Sequence, residues 1–219
     1  MTERGSSPGS PFRVALTVDA EFADRPTSDG TTARLLDVLA ELEVPATVFV
    51  QGRWAAGQPA LARRIVDDGH LLGNHSHHHA RMTLLTGAGI SRDVLEAEKA
   101  IEDATGVSPK PWFRCPFGAG ARSPRVIRRL ASAGYDDVSW HVDSNDWAGG
   151  TARRLEGRIV RGTLTHGDGA VILVHGWPAA TPDAVRASVP RLRDAGATFV
   201  RVDELPEVPG LRLPVGSAA

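Results

Sequence analysis

One cysteine, Cys115, occurs among the 219 residues, so an internal disulfide framework is excluded. No apolar run approaches the roughly 20 residues that a membrane-spanning helix requires. Residues Met1 to Arg13 carry Gly, Ser and Pro but not the apolar stretch of a secretory leader, so the expected location is the cytoplasm. A charge excess is missing too. Lys and Arg number 25 against 26 Asp and Glu, a net charge of −1, which offers no basic surface to nucleic acid or an anionic membrane. Nothing in the composition sets an oligomeric state. What is present is 42% apolar and 23% charged residues, the balance of one soluble domain with a full hydrophobic core at this length.

The chain reads as three parts. Residues 1–12 form a disordered lead, 13–205 a single folded domain, and 206–219 an extended tail in which Pro206, Pro209 and Pro214 forbid a helix. Within the domain, short apolar runs at 13–18, 46–50, 70–73, 111–114, 136–142, 170–174 and 197–202 predict strands. Most do not alternate in polarity, which suits strands buried on both faces of a parallel sheet. Helix signals lie between them. Leu35, Leu36, Leu39 and Leu42 recur at helical spacing, as do Leu61, Ile65 and Val66. Ser91 reads as an N-cap with Gly106 as its stop; Ser123-Pro124 and Gly134 punctuate another helix, and Thr181-Pro182 and Gly196 a last one. Strand and helix alternate, which predicts an α/β architecture. The pattern alone leaves an open sheet and a barrel as alternatives.

The densest chemistry is His75-Ser76-His77-His78-His79. A spacing of four places His75 and His79 on one face of a helical turn, where both imidazoles reach one ion. A solvated polar turn is the competing reading. The cluster follows the apolar run Leu71-Leu72-Gly73, and strand ends are where parallel barrels and sheets keep their sites. Four further runs end similarly. Asp19 follows VALTV, Arg114 follows PWF, Asp143 and Asp146 follow VSWHV, and His175 follows AVILV. Any one of these is unremarkable as a surface or core polar group. A parallel barrel brings all such ends to one face, where the residues converge.

In this order the residues resemble the NodB-homology polysaccharide deacetylases, carbohydrate esterase family four. The family's Thr-Phe-Asp-Asp-Gly is similar to Thr17-Val18-Asp19-Ala20-Glu21, and its His-Ser/Thr-x-x-His to His75 through His79. Its Arg-x-Pro-Tyr/Phe-Gly is similar to Arg114-Cys115-Pro116-Phe117-Gly118. Its Asp-Trp pair resembles Asp146-Trp147, and its apolar strand ending in His resembles Val171 to His175. Each motif is weak alone, and five in sequence are specific.

The resemblance implies a distorted, incomplete (β/α)7 TIM-like barrel, and hydrolysis of an N-acetyl or formyl group from an amino sugar or small amide. It implies a divalent ion, Zn2+ foremost, with Co2+ or another transition metal as alternatives. By position, Asp19 becomes the general base, Arg114 its orienting partner, His175 the general acid and Asp146 the partner of His175. The Cys115 N–H would face the oxyanion, and Phe117, Trp147 and Trp177 would line the pocket. His75 and His79 become metal ligands. The family's second Asp, a ligand, is Ala20 here. Glu21 is the leading replacement, giving two histidines and one carboxylate, with Asp24, His77 or His78 as others. Two rival readings remain. One is a non-catalytic carbohydrate- or metal-binding module of the same fold, which Ala20 favours. The other is an esterase or cyclic-amide hydrolase. A nucleophilic Cys115 has no adjacent base to activate it, and His70, His141 and His166 carry no assigned role.

Overall fold

The computed structural model describes residues 11–22 and 30–205. The tail, Asp24 and all of the lead except Pro11 and Phe12 lie outside the described residues. The strands are β1 (Phe12–Ala20), β2 (Ala46–Val50), β3 (Leu71–Asn74), β4 (Trp112–Phe113), β5 (Asp136–Asp137), β6 (Val142–Asp143), β7 (Ala170–His175) and β8 (Ala197–Phe199). Every pairing is parallel, in the order β5-β4-β3-β2-β1-β7-β6. β8 pairs with the first residues of β1, Phe12 to Val14, whose later residues pair with β2. The helices are α1 (Thr31–Glu41), α2 (Gly52–Gly57), α3 (Pro59–Asp67), α4 (Gly87–Thr105), α5 (Pro124–Ser132), α6 (Ala152–His166) and α7 (Thr181–Asp194). The fold is an incomplete parallel β/α barrel.

The predicted strand 136–142 is two short strands at opposite ends of that order. Its backbone changes partners: the Val138 N–H donates to Phe113 O at 2.7 Å, and the His141 N–H donates to Val171 O at 2.9 Å. This segment spans the seam where the barrel does not close. The helix signals shift as well. α4 begins four residues before Ser91, and Thr86 caps it by accepting from the Gly89 N–H. Ser123 stands at the N-cap of α5 without a side-chain capping bond. Thr181 opens α7 but spends its hydroxyl on Asp146. α2 and α6 were not predicted. Gly157 and Gly162 dilute the α6 pattern, yet Leu155, Ile159, Val160 and Thr163 share its buried face.

Side-chain parity organises the strands, because successive residues point to opposite faces. Val14, Leu16, Val18 and Ala20 of β1 pack in one core with Val48, Val50, Ile172 and the helices. The alternate residues form a separate inner core containing Ala15, Phe49, Trp112 and Val171. Gly73 lies on this inner face because a Cβ there would meet the Phe49 ring at 2.5 Å. Counting by twos along the inner face leads to the C-terminal rim: Ala15, Thr17 and Asp19 on β1 with Glu21 just past its end; Gly73 on β3 with His75 just past it; Trp112 on β4 with Arg114 just past it; and Val171, Leu173 and His175 on β7.

Candidate active site

That parity decides which residue of the first motif faces the cleft. Ala20 belongs to the outer, helix-packed core. Asp19 and Glu21 share the inner face and are both buried. Glu21 Oε2 lies 3.3 Å from His75 Nε2 and 2.5 Å from His79 Nε2. Ligand atoms of Glu21, His75 and His79 all fall within 4.8 Å of one another.

The histidine segment is not a helical turn, as its spacing suggested. It is an irregular loop in which Ser76 and His79 adopt left-handed backbone, with φ of 64° and 57°. Side chains hold this loop in shape. Asn74 Oδ1 accepts the Ser76 N–H at 2.8 Å, and Ser76 Oγ accepts the His79 N–H at 3.0 Å. His75 Nδ1 lies 3.0 Å from Arg114 O. A carbonyl only accepts, so Nδ1 carries a proton and Nε2 is the nitrogen turned toward Glu21, where it would ligate an ion once unprotonated. His77 and His78 belong to a separate group with Glu96.

These three residues fit a bound cation. Glu21 Oε2 and His75 Nε2 are buried and make no hydrogen bond. Leaving such atoms unsatisfied is costly unless an ion occupies the space between them. Burial opposes the charge on Glu21, but the His75 and His79 imidazoles override it and hold the carboxyl well below the usual range. Burial likewise opposes charge on His75, and Asp19 and Glu21 push its pKa up despite that. Trp177 Nε1–H donates to Glu21 Oε1 at 3.2 Å, which fixes the other oxygen of the ligand carboxylate.

Asp19 sits beside this cluster, its Oδ2 3.5 Å from His75 Nε2. Its Oδ1 accepts from Arg114 Nη1 at 2.8 Å. Arg114 is 1% exposed and is fixed on several sides. Nε donates to Val138 O, Nη1 also to Thr17 Oγ1, both at 2.9 Å, and the guanidinium lies 4.1 Å over the Phe49 ring. A buried guanidinium with this many acceptors is immobile, and so is the carboxylate it holds.

His175 stands at the end of β7. Its Nδ1 donates to Asp146 Oδ1 at 2.7 Å. Burial alone would lower the His175 pKa. The hydrogen bond and charge of Asp146, with Asp19 and Glu21 behind it, raise it instead to about 9. His175 is therefore an imidazolium at neutral pH.

The expected role of the Cys115 N–H does not survive. It donates to Asp137 Oδ1 at 2.8 Å and is not available to a substrate oxygen. The Cys115 thiol is buried, and burial with the Asp137 charge pushes its pKa up, away from nucleophilic use. Phe117 lines the cleft in a left-handed conformation with φ 58°. Sequence reading missed Asp137, Thr181, Arg81 and Trp140. Arg81, two residues past His79, lies 4.4 Å over the Phe117 ring, and Trp140 walls the same cleft. His70 and His141 have structural duties, accepting the Ala46 and Val171 N–H groups.

Asp19, Glu21, His75, His79 and His175 face one cleft of about 420 Å³. Its rim is aromatic: Phe22, Phe117 and Trp147 are 44%, 50% and 46% exposed.

Comparison with known proteins identifies the family and the fold. The profile of the polysaccharide deacetylase family matches residues 6–138. A peptidoglycan-N-acetylglucosamine deacetylase of Listeria monocytogenes is 32% identical over 88% of this chain. The chain spans 38% of that relative's length. A solved family 4 carbohydrate esterase from Streptomyces lividans, in complex with acetate, superposes with a TM-score of 0.76 at 33% identity, covering 87% of this chain and 93% of its own. A family 4 pseudoenzyme from Bacillus anthracis superposes with a TM-score of 0.79 at 27% identity, covering 91% of this chain and 66% of its own. With 133 contiguous residues matched and the motif residues on one rim, the chain belongs to the polysaccharide deacetylase family.

Proposed function

We propose that the chain is a divalent-metal-dependent hydrolase that removes the acetyl group from an N-acetylated amino sugar. The observation that carries this reading is the arrangement in one cleft of Glu21, His75 and His79 beside the Arg114-held Asp19 and the Asp146-held His175. Two imidazoles and a carboxylate suit zinc first and cobalt second. An ion bound there supplies a Lewis acid that acidifies water and polarises the acyl oxygen.

The protein's own groups do the rest. Asp19 receives the proton of the attacking water, with Arg114 holding its carboxylate in place. The turn at Phe117, which lines the cleft, is where a backbone N–H would meet the developing oxyanion. His175 Nε2 delivers a proton to the departing amine, which leaves poorly as an anion. Asp146 holds that ring at Nδ1, so the other nitrogen is the one that carries the transferable proton. The exposed aromatic rim offers flat faces to sugar rings. The named substrate of the Listeria relative, N-acetylglucosamine in peptidoglycan, supports the same class.

The test is acetate and free-amine release from N-acetylglucosamine oligomers by the zinc- or cobalt-loaded chain, alongside O-acetyl esters and an N-formyl amide. The expected result is equimolar acetate and amine, with Asp19→Asn retaining metal while losing about 10²- to 10⁴-fold in rate. Turnover of esters alone would move the assignment to an esterase. Saccharide binding without turnover would mark a binding module, a reading that the pseudoenzyme neighbour keeps in view.

A further inference from the structure

A second group of ligand-type side chains lies on the outer side of the histidine loop, away from the cleft. His77, His78 and Glu96 each place one ligand atom within 4.8 Å of the others. We propose that these three residues form a second, weaker binding site for a borderline transition-metal dication such as Zn2+, distinct from the Glu21, His75 and His79 cluster.

The supporting structure is built into α4. Asp93 is buried and faces the loop. Its Oδ2 accepts the His77 N–H and its Oδ1 the His78 N–H, both at 3.1 Å, and Oδ1 also lies 2.8 Å from His78 Nδ1. A carboxylate accepts, so His78 Nδ1 carries the proton and Nε2 presents a lone pair. This carboxylate–histidine pairing is what fixes and strengthens imidazole ligands in metal sites. Glu96 follows Asp93 by three residues and so shares its face of α4. One helix face therefore supplies both the carboxylate that orients a histidine and the carboxylate that would join it at the ion. The two rings sit edge to face with centroids 4.6 Å apart, which brings the second imidazole beside the first.

Two imidazoles and one carboxylate favour zinc, nickel or copper over magnesium or calcium. Glu96 and His78 are exposed and His77 is half-buried, so water completes the coordination and the site is weaker than the buried one. His77 and His78 lie between the two histidines of the inner cluster in sequence. An ion here would clamp the loop to α4.

The experiment is equilibrium dialysis of the metal-stripped full chain against Zn2+ over a concentration series, with bound zinc counted by elemental analysis. Wild type is expected to bind one equivalent tightly and a second more weakly. Glu96→Ala and His77→Asn should each lose the second equivalent and keep the first, with folding checked by circular dichroism. Glu21→Ala should weaken the first and keep the second, so a failure of the cleft site is told apart from a failure of this one. A single equivalent in wild type at every zinc concentration, or a second equivalent that persists in both Glu96→Ala and His77→Asn, overturns the proposal.

Discussion

Asp146 Oδ1 lies 2.7 Å from His175 Nδ1, while its Oδ2 accepts the backbone N–H of the same histidine at 2.8 Å and the Thr181 hydroxyl at 2.7 Å. One buried carboxylate thus fixes both the ring and the main chain of His175. It is itself anchored by the first residue of the next helix.

This pairing sets the alkaline side of the pH profile. A histidine whose pKa is raised to about 9 stays protonated through neutrality and loses its proton as pH climbs past that value. A general acid is active only while protonated, so the rate should fall on the alkaline side. Asp146→Asn removes the charge that lifts the pKa. Its alkaline limb should move down toward the ordinary imidazole value of about 6.5, with kcat reduced at every pH. An unmoved limb in kcat against pH would mean that another group is the acid.

Trp177 and Glu21 give a second prediction, read through metal binding. Glu21→Ala removes a ligand from the inner cluster and should weaken metal affinity by more than the roughly 10- to 100-fold typical of changes to groups behind the ligands. Trp177→Phe keeps the aromatic wall but deletes the Nε1–H that holds Glu21 Oε1. It should fall within that 10- to 100-fold range. Competition against a chromogenic chelator measures both. Equal, unchanged affinities would remove Glu21 from the ligand set.

Much of this site is legible in the sequence. The two-residue alternation of side-chain direction along a strand places inner-face residues two apart, so the choice of Glu21 over Ala20 is a matter of parity that the sequence already contains. The ends of β1, β3, β4 and β7 carried Asp19, His75, Arg114 and His175 for the same reason. What was not legible depends on contacts between distant segments. Asp137 and Cys115 are 22 positions apart, and nothing local says that one consumes the other's N–H. The helical turn drawn through His75 and His79 also failed, because Asn74 and Ser76 side chains hold the loop in left-handed backbone that residue spacing cannot reveal. α6 was overlooked because its glycines interrupt the apolar rhythm that identified the other helices.

Arg114 and Asp19 form a buried ion pair, and breaking it has a stability consequence separate from catalysis. Arg114→Met leaves the Asp19 carboxylate without its cation, and the Val138 carbonyl loses its donor. Removing one partner of such a pair costs about 3–5 kcal/mol. Arg114→Lys keeps a charge but cannot reach both the carboxylate and the carbonyl, so it should fall between wild type and Arg114→Met. Urea denaturation of the metal-free proteins ranks the three. Wild-type stability in Arg114→Met would show that the pair contributes nothing net.

His141 provides the acid-side counterpart. Its Nδ1 accepts the Val171 N–H at 3.1 Å, so the ring must be neutral to make that bond. The His166 ring stacks on it with centroids 3.7 Å apart. Burial first, and the His166 charge second, lower its pKa from 6.5 to about 4. The unfolded chain therefore takes up a proton near pH 6.5 that the folded chain refuses until about pH 4. The stability linked to this residue is fully present above the higher value and is lost as pH falls through the window between the two. His141→Asn offers an amide oxygen to the Val171 N–H and does not titrate. Its urea midpoint should decline less than that of wild type between pH 7 and pH 4.5, with carboxylate protonation common to both proteins. Parallel declines would show that the His141–His166 stack carries no part of the acid sensitivity.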